Sequence, residues 1–154
     1  MRRGPRERRR TAPRRSPEEQ SLARLMRHRY GELVEEIADH STFATRAMFG
    51  CVGCYLHGRL TLVLADGARA WDGILVPTAR EHHGALRGTI ASLRPHAVLG
   101  KWLFLPAGAE SFEDDARRLA ELARVDDPRL GVEPTPRRRR EGGGASRHRT
   151  RRRR

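Results

Sequence analysis

Arginine crowded at the two ends of the chain constrains the fold most. Residues 1–15 carry eight arginines and one glutamate, and residues 135–154 carry ten arginines and one glutamate. These ends have net charges of +7 and +9, so of the total +13 only −3 falls on residues 16–134. Segments with so many like charges and almost no apolar residues cannot bury a core, so both ends are expected to be disordered basic tails. The organisation expected is therefore a tail over 1–15, one folded domain over 16–134 and a second tail over 135–154. A body of that size suffices for a single core.

The ends also bound the function classes. Arg8, Arg9, Arg10, Arg14 and Arg15 in the first tail, with Arg137, Arg138, Arg139, Arg140, Arg151, Arg152, Arg153 and Arg154 in the second, suit the phosphates of DNA or RNA. Disordered arginines of this kind position on phosphate without reading bases. No apolar stretch follows the N-terminal arginines as a secretory signal requires, and no apolar run approaches the ~20 residues of a membrane helix. Two cysteines in all make no disulfide framework, so a reducing cytoplasm is the default location.

Within the body the pattern alternates between helix and strand. Ser16-Pro17-Glu18-Glu19 is a capping box with proline at the first helical position. Leu22, Leu25, Met26, Leu33, Val34 and Ile37 follow at helical spacing, so the first helix should reach about residues 39–41, with Gly31 weakening it and marking the place for a kink or break. Residues 51–56 and 59–65 flank His57-Gly58 as a tight hairpin, and Asp66-Gly67 turns the chain into a third strand over 69–76. A second capping box, Thr78 to Glu81, predicts a helix to about Ser92. Residues 100–106 read as a fourth strand, and Ser111 to Asp114 caps a last helix with Phe112, Ala116, Leu119 and Ala123 inward. The fold class expected is α+β, with an antiparallel sheet of about four strands and three helices.

The chemistry candidates are few. Cys51-x-x-Cys54 with His57 has ligand types a zinc ion accepts, but a structural zinc site needs four ligands, so three from one segment fall short. Strand alternation also puts Cys51 and His57 on one face and Cys54 on the other, unless a bulge at Gly53 intervenes. A redox pair would want the motif opening a helix rather than a hairpin. His82, His83 and His96 are further metal-ligand candidates, and Lys101, the only lysine, is a candidate amine nucleophile. The structural alternative for each is a strand cysteine, a surface histidine or a solvated lysine. No cofactor is expected from these residues, with zinc the one alternative.

Arg46, Met48, Phe49 and Gly50, then Gly53, Tyr55 and Gly58, resemble the opening motif of the TfoX N-terminal domain family. Gly100-Lys101 through Leu105-Pro106, followed by an amphipathic helix with an acidic start, is similar to that family's closing segment. The resemblance spans roughly residues 41–125. It implies a small α+β module of bacterial regulators, without enzymatic activity; the function expected is a regulatory or interaction module whose body binds a protein partner and whose tails hold nucleic acid. Cys51 and the Ala70-Trp71-Asp72-Gly73 segment depart from the family pattern, and an arginine tail stands where longer members carry a second module. The alternative is a small metal-binding or thiol-dependent protein built on Cys51, Cys54 and His57.

Overall fold

The computed structural model describes residues 13–135. Most of the two arginine-rich ends, including all the named tail arginines except Arg14 and Arg15, lies outside the described residues. The described chain is α+β, with one six-stranded antiparallel sheet in the order β1-β2-β3-β4-β6-β5. Its strands are β1 (Ala44–Met48), β2 (Cys51–Leu56), β3 (Arg59–Asp66), β4 (Asp72–Val76), β5 (Arg94–Pro95) and β6 (Leu103–Pro106). The helices are α1 (Pro17–Arg27), α2 (His83–Thr89) and α3 (Phe112–Arg124), with a 3-10 segment over Gly31–Asp39.

The capping box of α1 forms as the sequence indicates. The Ser16 amide donates to Glu19 Oε2 at 2.9 Å, and the Glu19 amide donates to Ser16 Oγ at 3.2 Å. The single long first helix does not form. After Arg27 the chain turns through extended backbone at His28, and a 3-10 segment begins at Gly31. Gly31 lies so close to α1 that a Cβ there would stand 2.0 Å from the Leu25 carbonyl oxygen. The break thus brings two helical pieces into backbone contact. Leu25, Val34 and Ile37 are fully buried, whereas Leu22 and Met26, on the same expected stripe, are 44% and 37% exposed.

The sheet has two more strands than the alternation pattern reveals. β1 pairs with β2 in register Arg46↔Gly53 and Met48↔Cys51, and α1 guards its outer edge. The Thr45 amide donates to Ser21 Oγ at 3.1 Å, and Arg24 donates to the Thr45 carbonyl at 2.9 Å, which satisfies an edge that would otherwise template further pairing. β5 contributes only two residues, beside Phe104 and Leu103 of β6. The third predicted strand begins at Asp72 rather than at residue 69, because Arg69–Trp71 forms a 3-10 turn. The fourth is likewise shorter, starting at Leu103.

Two predicted caps are replaced by other contacts. Thr78 Oγ1 donates to the Arg129 carbonyl at 2.5 Å, a partner 51 residues away, so it caps nothing and α2 spans only His83–Thr89. Ser111 Oγ donates to Asp115 Oδ2 at 2.6 Å instead of receiving a helix amide, although α3 does begin at the next residue. Phe112, Ala116, Leu119 and Ala123 are all buried, as the helical spacing predicts.

Each face of the sheet carries apolar residues. Leu62, Leu64, Ile74, Val76, Leu103 and Leu105 pack under the helices. On the reverse face Val63, Ala65, Leu75 and Phe104 form a smaller cluster, covered by half-buried Met48, Tyr55, Trp71, Leu99, Trp102 and Val132. Among the described residues no helix is long and apolar enough to cross a membrane.

Candidate functional site

The two cysteines lie on opposite faces of β2. Cys54 belongs to the core under the helices and Cys51 to the cluster on the reverse face. The β2–β3 register does shift, but between Cys54 and Tyr55, after both cysteines, so the irregularity does not bring them together. Both thiols are free. Cys54 is fully buried, and burial pushes its thiol up to about 12. Burial, and secondarily the Asp66 carboxylate, also raises the Cys51 thiol. Neither environment favours the thiolate that metal binding and redox exchange both use.

His57 occupies the β2–β3 turn, beyond the far end of β2 from Cys51. Its φ of 53° with 73° at Gly58 gives the two successive left-handed residues of a tight hairpin, as predicted. Its ring packs against His40 at 4.3 Å, and its Nε2 lies 3.3 Å from the Arg124 carbonyl. Cys51, Cys54 and His57 therefore do not converge. Among the described residues no three His, Cys, Asp or Glu side chains come together in an arrangement that could hold a metal ion.

The remaining histidines are held separately. His82 Nε2 lies 3.6 Å from Glu81, and His83 Nε2 bonds the Lys101 carbonyl at 2.8 Å. Lys101 itself is exposed, so the burial its nucleophile reading calls for is not present. His96 is buried, with both ring nitrogens engaged. Its Nδ1 accepts from the amides of Val98 at 3.2 Å and Leu99 at 2.9 Å, so the proton resides on Nε2, which donates to the Ala70 carbonyl at 2.7 Å. This ring ties the loop after β5 to the turn before β4.

The residues of the opening motif gather around the β1–β2 hairpin. Arg46, Met48, Gly53 and Tyr55 share the reverse face, with the Arg46 guanidinium 5.2 Å from the centre of the Tyr55 ring. Gly53 has no side chain because Met48 crosses it: a Cβ would lie 2.7 Å from the Met48 sulfur and 3.1 Å from Leu60. Phe49 and Gly50 form the hairpin tip with φ of 51° and 74°, and Phe49 is 75% exposed. Pro106 ends β6 opposite Gly73. Arg14 and Arg15 are exposed just ahead of α1.

One cluster has no counterpart in the sequence reading. The Tyr30 hydroxyl donates to an Asp72 carboxylate oxygen across 42 residues of sequence, and burial together with that bond pushes the phenol up to about 12. His28 Nδ1 accepts the Tyr30 amide at 3.1 Å, leaving Nε2 buried without a hydrogen-bond partner among the described residues, 3.7 Å from Asp66. Desolvation lowers the His28 pKa, with Asp66 partly opposing. No local pattern announces this grouping, since its members come from three separate segments.

No family model, curated protein or solved structure matches the chain.

Proposed function

We propose that the chain is a non-enzymatic regulatory or interaction module of TfoX-like type, working in the bacterial cytoplasm, with arginine-rich ends that hold nucleic acid. The observation that carries this reading is the separation of charge. The two ends contribute 18 of the 32 basic residues, while residues 16–134 are net negative. Arginine engages phosphate through a planar fork of donors, and each phosphate neutralised releases counterions, so the ends supply affinity with slight sequence preference. The folded body then presents a surface to a protein partner. The grouping of Arg46, Met48, Gly53 and Tyr55 on one face supports a shared role for the motif residues.

The metal or thiol alternative draws no support from the site, because Cys51, Cys54 and His57 point to three different surroundings. The experiment that tests the proposal is fluorescence anisotropy with a labelled duplex. The full chain is compared with residues 16–134, a span that contains every described helix and strand. Binding by the full chain alone is the expected result. Equal binding by both would move the nucleic-acid contact onto the body and overturn the assignment to the ends.

A further inference from the structure

The turn from α1 into the 3-10 segment is held in part by a titratable ring. The His28 amide donates to the Leu25 carbonyl at 3.0 Å, and the Gly31 amide donates to the His28 carbonyl at 3.0 Å. Between these two backbone bonds, the Tyr30 amide donates to His28 Nδ1 at 3.1 Å. An accepting ring nitrogen carries no proton, so the neutral ring bears its hydrogen on Nε2. That group is buried without a hydrogen-bond partner among the described residues, and it stops 3.7 Å short of Asp66 Oδ1. The His28 side chain is 5% exposed, against 47% for Asp66.

The surrounding charges are few. Asp66 of β3 and Asp72 of β4 stand opposite each other in the antiparallel register, so their side chains share one face of the sheet. Asp72 already accepts from the Tyr30 hydroxyl, and the Tyr30 ring lies 5.6 Å from the His28 ring and 4.9 Å from Phe112 of α3. On α1, Arg24 is engaged with Thr45, while Arg27 and Arg29 are exposed. Glu32 and Glu113 line a cavity beside Tyr30. Among the described residues Asp66 is the one carboxylate within ion-pair distance of His28.

We propose that His28 is a proton-operated latch: a second proton, taken from solvent, breaks its bond to the Tyr30 amide and draws the ring onto Asp66, loosening the junction between α1 and the 3-10 segment while the sheet stays paired. Once protonated, Nδ1 is a donor facing another donor, the Tyr30 N–H, so that bond is lost. Nε2 meanwhile gains charge beside a carboxylate it does not yet touch, and closing the 3.7 Å gap moves the ring toward Asp66. The junction has no slack for that movement. Gly31 already lies against α1, where a Cβ would stand 2.0 Å from the same Leu25 carbonyl oxygen that accepts the His28 amide. Burial lowers the His28 pKa, with Asp66 partly opposing, so the latch is shut at neutral pH and opens in mild acid. The pairing of β3 with β4 is carried by backbone groups, which no proton in this range alters. The latch is independent of the arginine-rich ends and of any nucleic acid they hold.

The test is a titration of the isotope-labelled full chain from about pH 7.5 to 5, the range in which histidine charges, followed by NMR. Imidazole nitrogen shifts should show His28 as the Nε2–H tautomer at the upper end. As the ring gains its second proton, the Tyr30 amide should exchange with solvent about 10-fold faster, beyond the intrinsic effect of pH, as expected for one lost hydrogen bond. The amides of Leu64 and Ile74 in the sheet should keep their protection over the same range. His28→Asn supplies an oxygen acceptor that does not titrate, and it should abolish the change at Tyr30. Asp66→Asn keeps the ring but removes its ion-pair partner, and it should move the midpoint to lower pH. A Tyr30 amide that ignores protonation of His28, or a transition that keeps its midpoint in His28→Asn, would overturn the latch. Loss of sheet protection at the same pH would overturn it too, because the event would then be global unfolding.

Discussion

Replacing Gly31 by alanine tests the packing account through the sign of its effect. Helix propensity alone says that alanine at this position stabilises by about 1 kcal/mol, because glycine is the poorer helix former. The structure says the reverse. The new Cβ would stand 2.0 Å from the Leu25 carbonyl oxygen and 2.9 Å from its carbonyl carbon, both backbone atoms that no rotamer change can move aside. Relief requires the 3-10 segment to withdraw from α1 by about 1 Å, since such contacts rarely fall below the 3.0 Å range. That withdrawal loosens Leu25, Val34 and Ile37, which are fully buried. Overpacking of this severity costs about 2–4 kcal/mol, well above the propensity gain. In a domain of this size the melting temperature should fall by about 10–15 °C. Urea unfolding of Gly31→Ala followed by circular dichroism measures the difference directly. A variant as stable as the parent, or more so, would refute the close approach between α1 and the 3-10 segment.

Other consequences concern buried titratable groups. Cys54 should resist alkylation at pH 8 until the chain unfolds, and Cys54→Ser should cost about 1–3 kcal/mol by burying a hydroxyl, as read by denaturant titration. Tyr30 is held protonated in the folded state, so its contribution is complete below pH 10 and is lost as pH rises toward about 12. Stability should decline by about 2 kcal/mol across that window, and Tyr30→Phe should flatten the decline. His28 has the opposite sense: its folded pKa is lowered, so stability falls as pH drops below 6.5. Asp66→Asn removes the opposing charge and should steepen that acid loss, measured as the melting temperature between about pH 7 and 5.

What the sequence disclosed follows the range of the interactions involved. Ser16 and Glu19 bond within one turn, so the start of α1 is legible from four residues. The β2–β3 hairpin is legible because His57-Gly58 is a turn flanked by apolar strands, and period-two alternation already separates Cys51 from Cys54. β1 is not legible, because ATRAM carries one buried residue and depends on β2 and on Ser21 and Arg24 for its hydrogen bonds. Gly31 reads as a weak helix position, but only the folded chain shows that Leu25 occupies the space of its missing side chain. In sequence His96 reads as a surface or edge residue, because its carbonyl partner, Ala70, lies 26 residues away and leaves no local signature.

The measurement that bears most directly on the central claim is the salt dependence of nucleic-acid binding by the full chain. The ends offer 18 arginines, and log affinity falls with log salt by about 0.9 per duplex phosphate engaged. Binding through the ends predicts a steep linear slope on duplex, a shallower one on single strands, and little difference between sequences of equal length. A flat salt response, or an affinity that depends on base sequence more than on salt, would contradict it.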